Sequence, residues 1–212
     1  VGDFLHTRSF QMMVEVGSMR VLQILSDATN VIAEGEVMQL INMHDASLDE
    51  NAYLQVIRSK TAKLFEASSR LAAVLAGSDT AQEEACATYG QALGTAFQII
   101  DDVLDYDGDS QEMGKNLGDD LREGKATLPL IAAMQKGSAT QAQMVRHAIE
   151  NGSTDQLDAI VTVVRETGAL DVAREAAAAE AHRAIKALST LPDSAYRTAL
   201  LQLAAQLLQR RT

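Results

Sequence analysis

The chain has 212 residues, 47% of them hydrophobic, a formal net charge of -11 and a single cysteine, Cys86. That charge disfavours nucleic acid and anionic membrane surfaces as main partners, because both reward a basic footprint, and a lone cysteine forms no internal disulfide. Two prolines, 4% aromatic residues and abundant Ala, Leu, Gln and Glu leave little to build strands from and favour one all-helical domain over 1–212; no apolar run reaches spanning length, so the expected address is cytoplasmic.

Taken in order, Gly2 to about Leu25 reads as a first helix, with Phe4, Phe10, Met13, Val14, Val21 and Ile24 as its apolar positions. A second is expected from about Asn30 to Met43, carrying Glu34, Glu36 and Gln39 among aliphatic residues. Ser47-Leu48-Asp49-Glu50 forms a capping-box pattern for a third, about Leu48 to Ala76, whose stripe is Leu54, Ile57, Thr61, Leu64, Ser68, Leu71 and Leu75. Lys60-Thr61 interrupts that stripe: the pair either bonds back to its own helix and snorkels to water or lines a polar cavity.

Asp79 and Gln82 open the fourth helix, in which Gly90 and Gly94 would let a neighbouring helix approach closely. Its last turns carry Phe97-Gln98-Ile99-Ile100-Asp101-Asp102-Val103-Leu104-Asp105. At about 100° per residue, Gln98, Asp101, Asp102 and Asp105 share one face, opposite the apolar residues. Asp101 and Asp105 are an i,i+4 pair of like charge, and carboxylates near a helix C-terminus oppose the macrodipole by roughly 0.3–1 kcal/mol each. A solvated acidic helix end and a bound cation both fit the pattern. A calcium loop does not, because Ser110 stands where the turn glycine belongs and Asn116 where the bidentate glutamate belongs.

Residues 107–126 are polar, glycine-rich and long for a bare connection within a helical bundle. Two of the six lysines, Lys115 and Lys125, fall there beside Gly114 and Gly124. Thr127-Leu128-Pro129 begins the next helix, and further helices are expected at about Ser138 to Asn151, Thr154 to Thr167, Ala169 to Leu191 and Ser194 to Arg210.

The acidic stretch, followed by Gly114-Lys115-Asn116-Leu117-Gly118-Asp119-Asp120-Leu121 and Gly124-Lys125-Ala126-Thr127-Leu128-Pro129, resembles the second aspartate-rich region of the trans (head-to-tail) isoprenyl diphosphate synthases. Lys60-Thr61, Val1-Gly2-Asp3-Phe4-Leu5 and Ala33-Glu34-Gly35-Glu36 fit as well, with long-chain, octaprenyl-type members the most similar. The resemblance implies an isoprenoid-synthase-type helical bundle around a central cavity, in which isopentenyl diphosphate is condensed with an allylic diphosphate to make a long-chain polyprenyl diphosphate of the kind used as a quinone side-chain precursor. It further implies Mg²⁺ held by Asp101, Asp102 and Asp105, diphosphate contacts from Lys60, Lys115 and Lys125, and Gln98 and Thr61 near the developing allylic cation. A homodimer or higher oligomer is also implied.

Members of that family carry a first aspartate-rich motif upstream of the Gly-Asp-Phe stretch, and residues before Val1 would have to supply it. The expectation is therefore an N-terminally truncated synthase with half an active site and no turnover of its own. Two other readings stay open: a non-catalytic partner subunit of a heteromeric synthase, and a terpene cyclase-like helical enzyme.

Overall fold

The computed structural model describes residues 1–107 and 117–210. Among these, every regular element is helical: α1 (Gly2–Glu15), α2 (Met19–Asn42), α3 (Glu50–Ile57), a π-helical turn (Arg58–Ala62), α4 (Lys63–Leu75), α5 (Thr80–Asp107), α6 (Asp119–Arg122), α7 (Leu128–Lys136), α8 (Ala139–Asn151), α9 (Leu157–Glu166), α10 (Ala169–Ala187), a 3₁₀ turn (Leu188–Thr190) and α11 (Ala195–Leu207).

α5 is the axis of the fold. It packs chiefly on α4 and α10, and its 28 residues bury Ala92, Ala96, Ile99, Ile100 and Val103 in a core shared with α7 to α11. The expected close approach at its glycines is present: a Cβ on Gly90 would lie 2.3 Å from the Phe65 carbonyl oxygen, and one on Gly94 would lie 2.7 Å from Ala62 Cα. The acidic end of α5 is compensated from outside. Arg174 of α10 pairs with Asp107, and Arg165 of α9 lies 3.8 Å from Asp107 and donates to the Tyr106 carbonyl at 3.4 Å. Part of the charge that the sequence leaves unexplained at this helix end is thus met by arginines, in the manner of a basic C-terminal cap.

Several expected boundaries shift. The first expected helix divides, because Gly17 takes φ 69° and the Ser18 side chain accepts the Val21 N–H, ending α1 and capping a 24-residue α2 that absorbs the expected second helix. The third starts at Glu50, capped by Asp49, whose carboxylate accepts the Ala52 N–H at 2.8 Å. It is interrupted at Arg58–Ala62, where the π turn inserts an extra residue and rotates everything beyond it by about 100°. The expected stripe therefore fails past Thr61: Leu64, Ser68 and Leu75 are exposed, and Ala62, Ala67 and Ala73 are buried instead. Residues 119–122, expected as loop, form the short helix α6.

Only Met13, Val21 and Ile24 of the six apolar positions expected for the first helix are buried. Phe4 is 70% exposed and Ile41, on α2, 75%. Among the described residues no helix is long and apolar enough to cross a membrane.

Candidate active site

A cavity of about 310 Å³ opens between α2, α3, the π turn, the C-terminal half of α5 and the segment from α6 to Thr127. Lys60, Thr61, Gln98, Asp101, Asp102 and Lys125 all line it. They come from three separate stretches of chain, and the fold brings them to one wall-to-wall space. Lys115 lies outside the described residues.

The π turn is what delivers Lys60 and Thr61. It is gripped from two sides, since a Cβ on Gly35 of α2 would meet Lys60 N at 2.7 Å and one on Gly94 of α5 would meet Ala62 at the same distance. In a straight α-helix these two residues would not be presented in the same register. Lys60 Nζ pairs with Glu36 at 2.8 Å and donates to the Gln39 side-chain oxygen at 3.2 Å. The Thr61 hydroxyl donates to Gln98 Oε1 at 3.0 Å, so the pair neither bonds back nor snorkels away but faces the cavity.

Gln98 passes the chain of hydrogen bonds on. Its amide donates to Asp102 Oδ1 at 2.8 Å, and the Tyr53 hydroxyl donates to Asp102 Oδ2 at 2.6 Å. Asp102 is 3% exposed. Burial and then the Asp120 charge push its carboxyl up to about 8, against the two hydrogen bonds, with Asp101 adding to the rise. Asp101 is a third exposed, with the Arg210 guanidinium 3.7 Å away. Lys125 Nζ pairs with Asp120 at 2.9 Å and Glu123 at 2.8 Å; burial pulls its pKa down, but Asp120 and Glu123 together hold it above the ordinary lysine value.

Asp105 departs from its expected place beside the other two carboxylates. It does not line the cavity: its oxygens accept the backbone N–H groups of Asp119 and Asp120, both at 3.2 Å, and its carbonyl accepts that of Gly118 at 3.1 Å. Burial, then Asp120, pushes its carboxyl up to about 6. An oxygen pair already occupied by N–H donors clasps the α6 turn to α5, which positions Asp120. Tyr53, Asp120, Glu36 and Gln39 were not singled out as site residues by the sequence. Asp120 sits within the quoted Gly118-Asp119-Asp120 run and Glu36 and Gln39 share one face of α2, but nothing local ties Tyr53 to Asp102 across 49 positions.

The donor set suits a hard divalent cation. Asp101, Asp102 and Asp120 offer carboxylate oxygens, no cysteine or histidine lines the cavity, and the Asp120 and Asp101 charges that add to burial in raising Asp102 are what a cation would relieve. Among the described residues no three such groups converge tightly enough to hold an ion alone. A small cation bound through one or two carboxylates, with phosphate oxygens and water completing its shell, places no such demand.

The polyprenyl synthetase family profile matches residues 1–166. Octaprenyl diphosphate synthase of Escherichia coli (strain K12) is 50% identical over 211 residues, covering 99% of this chain and 65% of the relative. All-trans-nonaprenyl-diphosphate synthase (geranyl-diphosphate specific) of Rhodobacter capsulatus is 46% identical over 210 residues, covering 99% of this chain and 64% of the relative. The crystal structure of polyprenyl synthase from Caulobacter crescentus CB15 complexed with calcium and isoprenyl diphosphate superposes with a TM-score of 0.94 at 45% identity, over 100% of this chain and 65% of that one. The chain thus spans about 65% of the length of the curated relatives it matches. With its helical architecture, its cavity and the profile in agreement, this chain belongs to the polyprenyl synthetase family.

Proposed function

We propose that the protein is a prenyltransferase that condenses isopentenyl diphosphate with an allylic diphosphate to make a long-chain trans-polyprenyl diphosphate. The observation that carries this reading is the convergence of Lys60, Thr61, Gln98, Asp101, Asp102 and Lys125 on one cavity. Relatives named for octaprenyl and nonaprenyl products support a long chain.

Ionising an allylic diphosphate requires the leaving group's charge to be met where water is excluded. Lys60 and Lys125 both line the cavity and are held against Glu36, Gln39, Asp120 and Glu123 until a diphosphate displaces those partners. Lys115 would join them. Asp101 and Asp102 would hold Mg²⁺ against the diphosphate, with Asp105 setting the α6 turn from behind. When bound, the metal supplies electrophilic neutralisation of the leaving group. The Gln98 and Thr61 oxygens form a dipolar lining able to face the allylic cation; the double bond of isopentenyl diphosphate then attacks that cation, and the new tertiary cation gives up a C–H proton to the released diphosphate, restoring a double bond in a chain longer by one unit.

The test is turnover of isopentenyl diphosphate by the full-length protein with allylic primers of increasing length and Mg²⁺, with product length read by mass. Long-chain product supports the reading. Binding of magnesium diphosphate without any turnover would instead favour a non-catalytic partner subunit, and cyclised product a terpene cyclase.

A further inference from the structure

His44 lies just beyond α2 and outside the cavity wall. Its φ of 65° makes it the one residue other than glycine in the left-handed region among the described residues. That conformation is strained for a residue bearing a side chain and persists only where its surroundings enforce it.

The enforcing contacts run to two other parts of the chain. The His44 N–H donates to the Gly124 carbonyl at 2.8 Å, and ring Nδ1 lies 3.1 Å from the Ile149 carbonyl of α8, donating to it in the tautomer protonated there. The imidazole also fills the space left by two glycines of positive φ. A Cβ on Gly124 would lie 2.3 Å from Nδ1, and one on Gly152 3.1 Å from Cε1 and 2.9 Å from the Arg122 carbonyl oxygen. The ring is a spacer between the end of α8 and the turn that follows α6.

That turn carries the cavity's second cation. Asn42 and Met43 line the cavity immediately before His44, and Lys125 and Ala126 line it immediately after Gly124. Lys125 is in turn locked to Asp120, by its N–H to the Asp120 carbonyl at 3.0 Å and by its ammonium at 2.9 Å. The His44 main chain thus ties this turn to the end of the α2 wall, and its ring props the turn against the end of α8. We propose that His44 is a positioning residue, holding Lys125 and Asp120 at the distance from the α2 wall that a magnesium-complexed diphosphate requires. The inference rests on the proposed function above and gives His44 no contact with substrate.

The experiment compares His44→Gly and His44→Asn with the wild type in the full-length protein. Glycine takes the positive φ freely while deleting the ring, and asparagine tolerates it while keeping a side-chain donor. Three quantities are read: the Kd for magnesium diphosphate by calorimetry, KM against kcat for the allylic diphosphate, and the thermal midpoint. The expected result for His44→Gly is a Kd and KM raised about tenfold with kcat changed less than about twofold, the pattern of lost binding geometry rather than lost chemistry. His44→Asn recovers part of the affinity, and reads the same effect should the glycine variant fold poorly. Wild-type affinity in His44→Gly overturns the inference, as does a loss of affinity, kcat and midpoint all together in both variants, which would make the ring merely structural. If the wild type itself binds no magnesium diphosphate, the proposed function falls and this inference with it.

Discussion

Replacing Tyr53 with phenylalanine removes the shorter of the two hydrogen bonds that hold the buried Asp102 carboxyl, 2.6 Å against 2.8 Å from Gln98. Without a cation, burial and then Asp120 push Asp102 up to about 8, so its charge state changes within the accessible pH range. The folded value lies above the unfolded 3.8; the folded state therefore keeps a proton that the unfolded chain releases, and that stabilisation is full at acid pH and lost as pH rises through 8. Tyr53 lowers the Asp102 value, and its own ionisation is held well above 10 by burial, then by Asp102, so it remains a donor throughout. Removing its hydroxyl should cost about 0.5–1.5 kcal/mol at about pH 5.5, where the acceptor is neutral, and about 1.5–3 kcal/mol near pH 9, where it is charged. For a chain of this size each kcal/mol moves the thermal midpoint by about 2–4 °C. Urea titrations of wild type and Tyr53→Phe in metal-free buffer at the two pH values measure the difference. An identical cost at both would refute the reasoning, since Asp102 would then not be the titrating acceptor.

On the proposed function, Asp101→Asn in the full-length protein takes one charge from the proposed metal-holding pair at nearly constant shape, and turnover should fall at least about a hundredfold, equivalent to about 2.7 kcal/mol, with the thermal midpoint retained; wild-type turnover would remove Asp101 from that role. Gly94→Ala drives a methyl to 2.7 Å from Ala62 Cα and 2.9 Å from Phe65 Cγ, so it should destabilise the chain by about 1–3 kcal/mol and weaken magnesium diphosphate binding by displacing Lys60-Thr61, measured by urea titration and calorimetry on the same sample. The exposed Phe4, Leu5, Val37, Leu40 and Ile41 predict a homodimer or larger assembly, and light scattering that reports a stable monomer at micromolar concentration would contradict it.

Much of the candidate site was legible because its chemistry is written in short, ordered runs. Gln98, Asp101 and Asp102 share a helix face by periodicity alone, and Gly90 and Gly94 announce a close packing that the helix α4 supplies. The placing of Asp105 was not legible: on a helical wheel it belongs with the other acids, and only the return of the chain through Gly118 to Asp120 occupies its oxygens. The π turn was missed for a related reason. A sequence pattern assumes a constant rotation per residue, whereas the register change at Arg58–Ala62 is secured by contacts with Gly35 and Gly94 from two other helices.

The sequence by itself therefore determined what depends on near neighbours: the helical class, the boundaries marked by glycine, serine and proline, and the face of α5 that carries Gln98, Asp101 and Asp102. Tertiary structure alone decided what depends on residues far apart in the chain. It placed Tyr53 and Asp120 against Asp102, turned Asp105 from the cavity to a backbone clasp, and set His44 between two glycines. Periodicity governs the direction in which a side chain leaves its own helix, but the partner it meets, and with it the charge state of a buried carboxyl, is settled only when distant segments close around it.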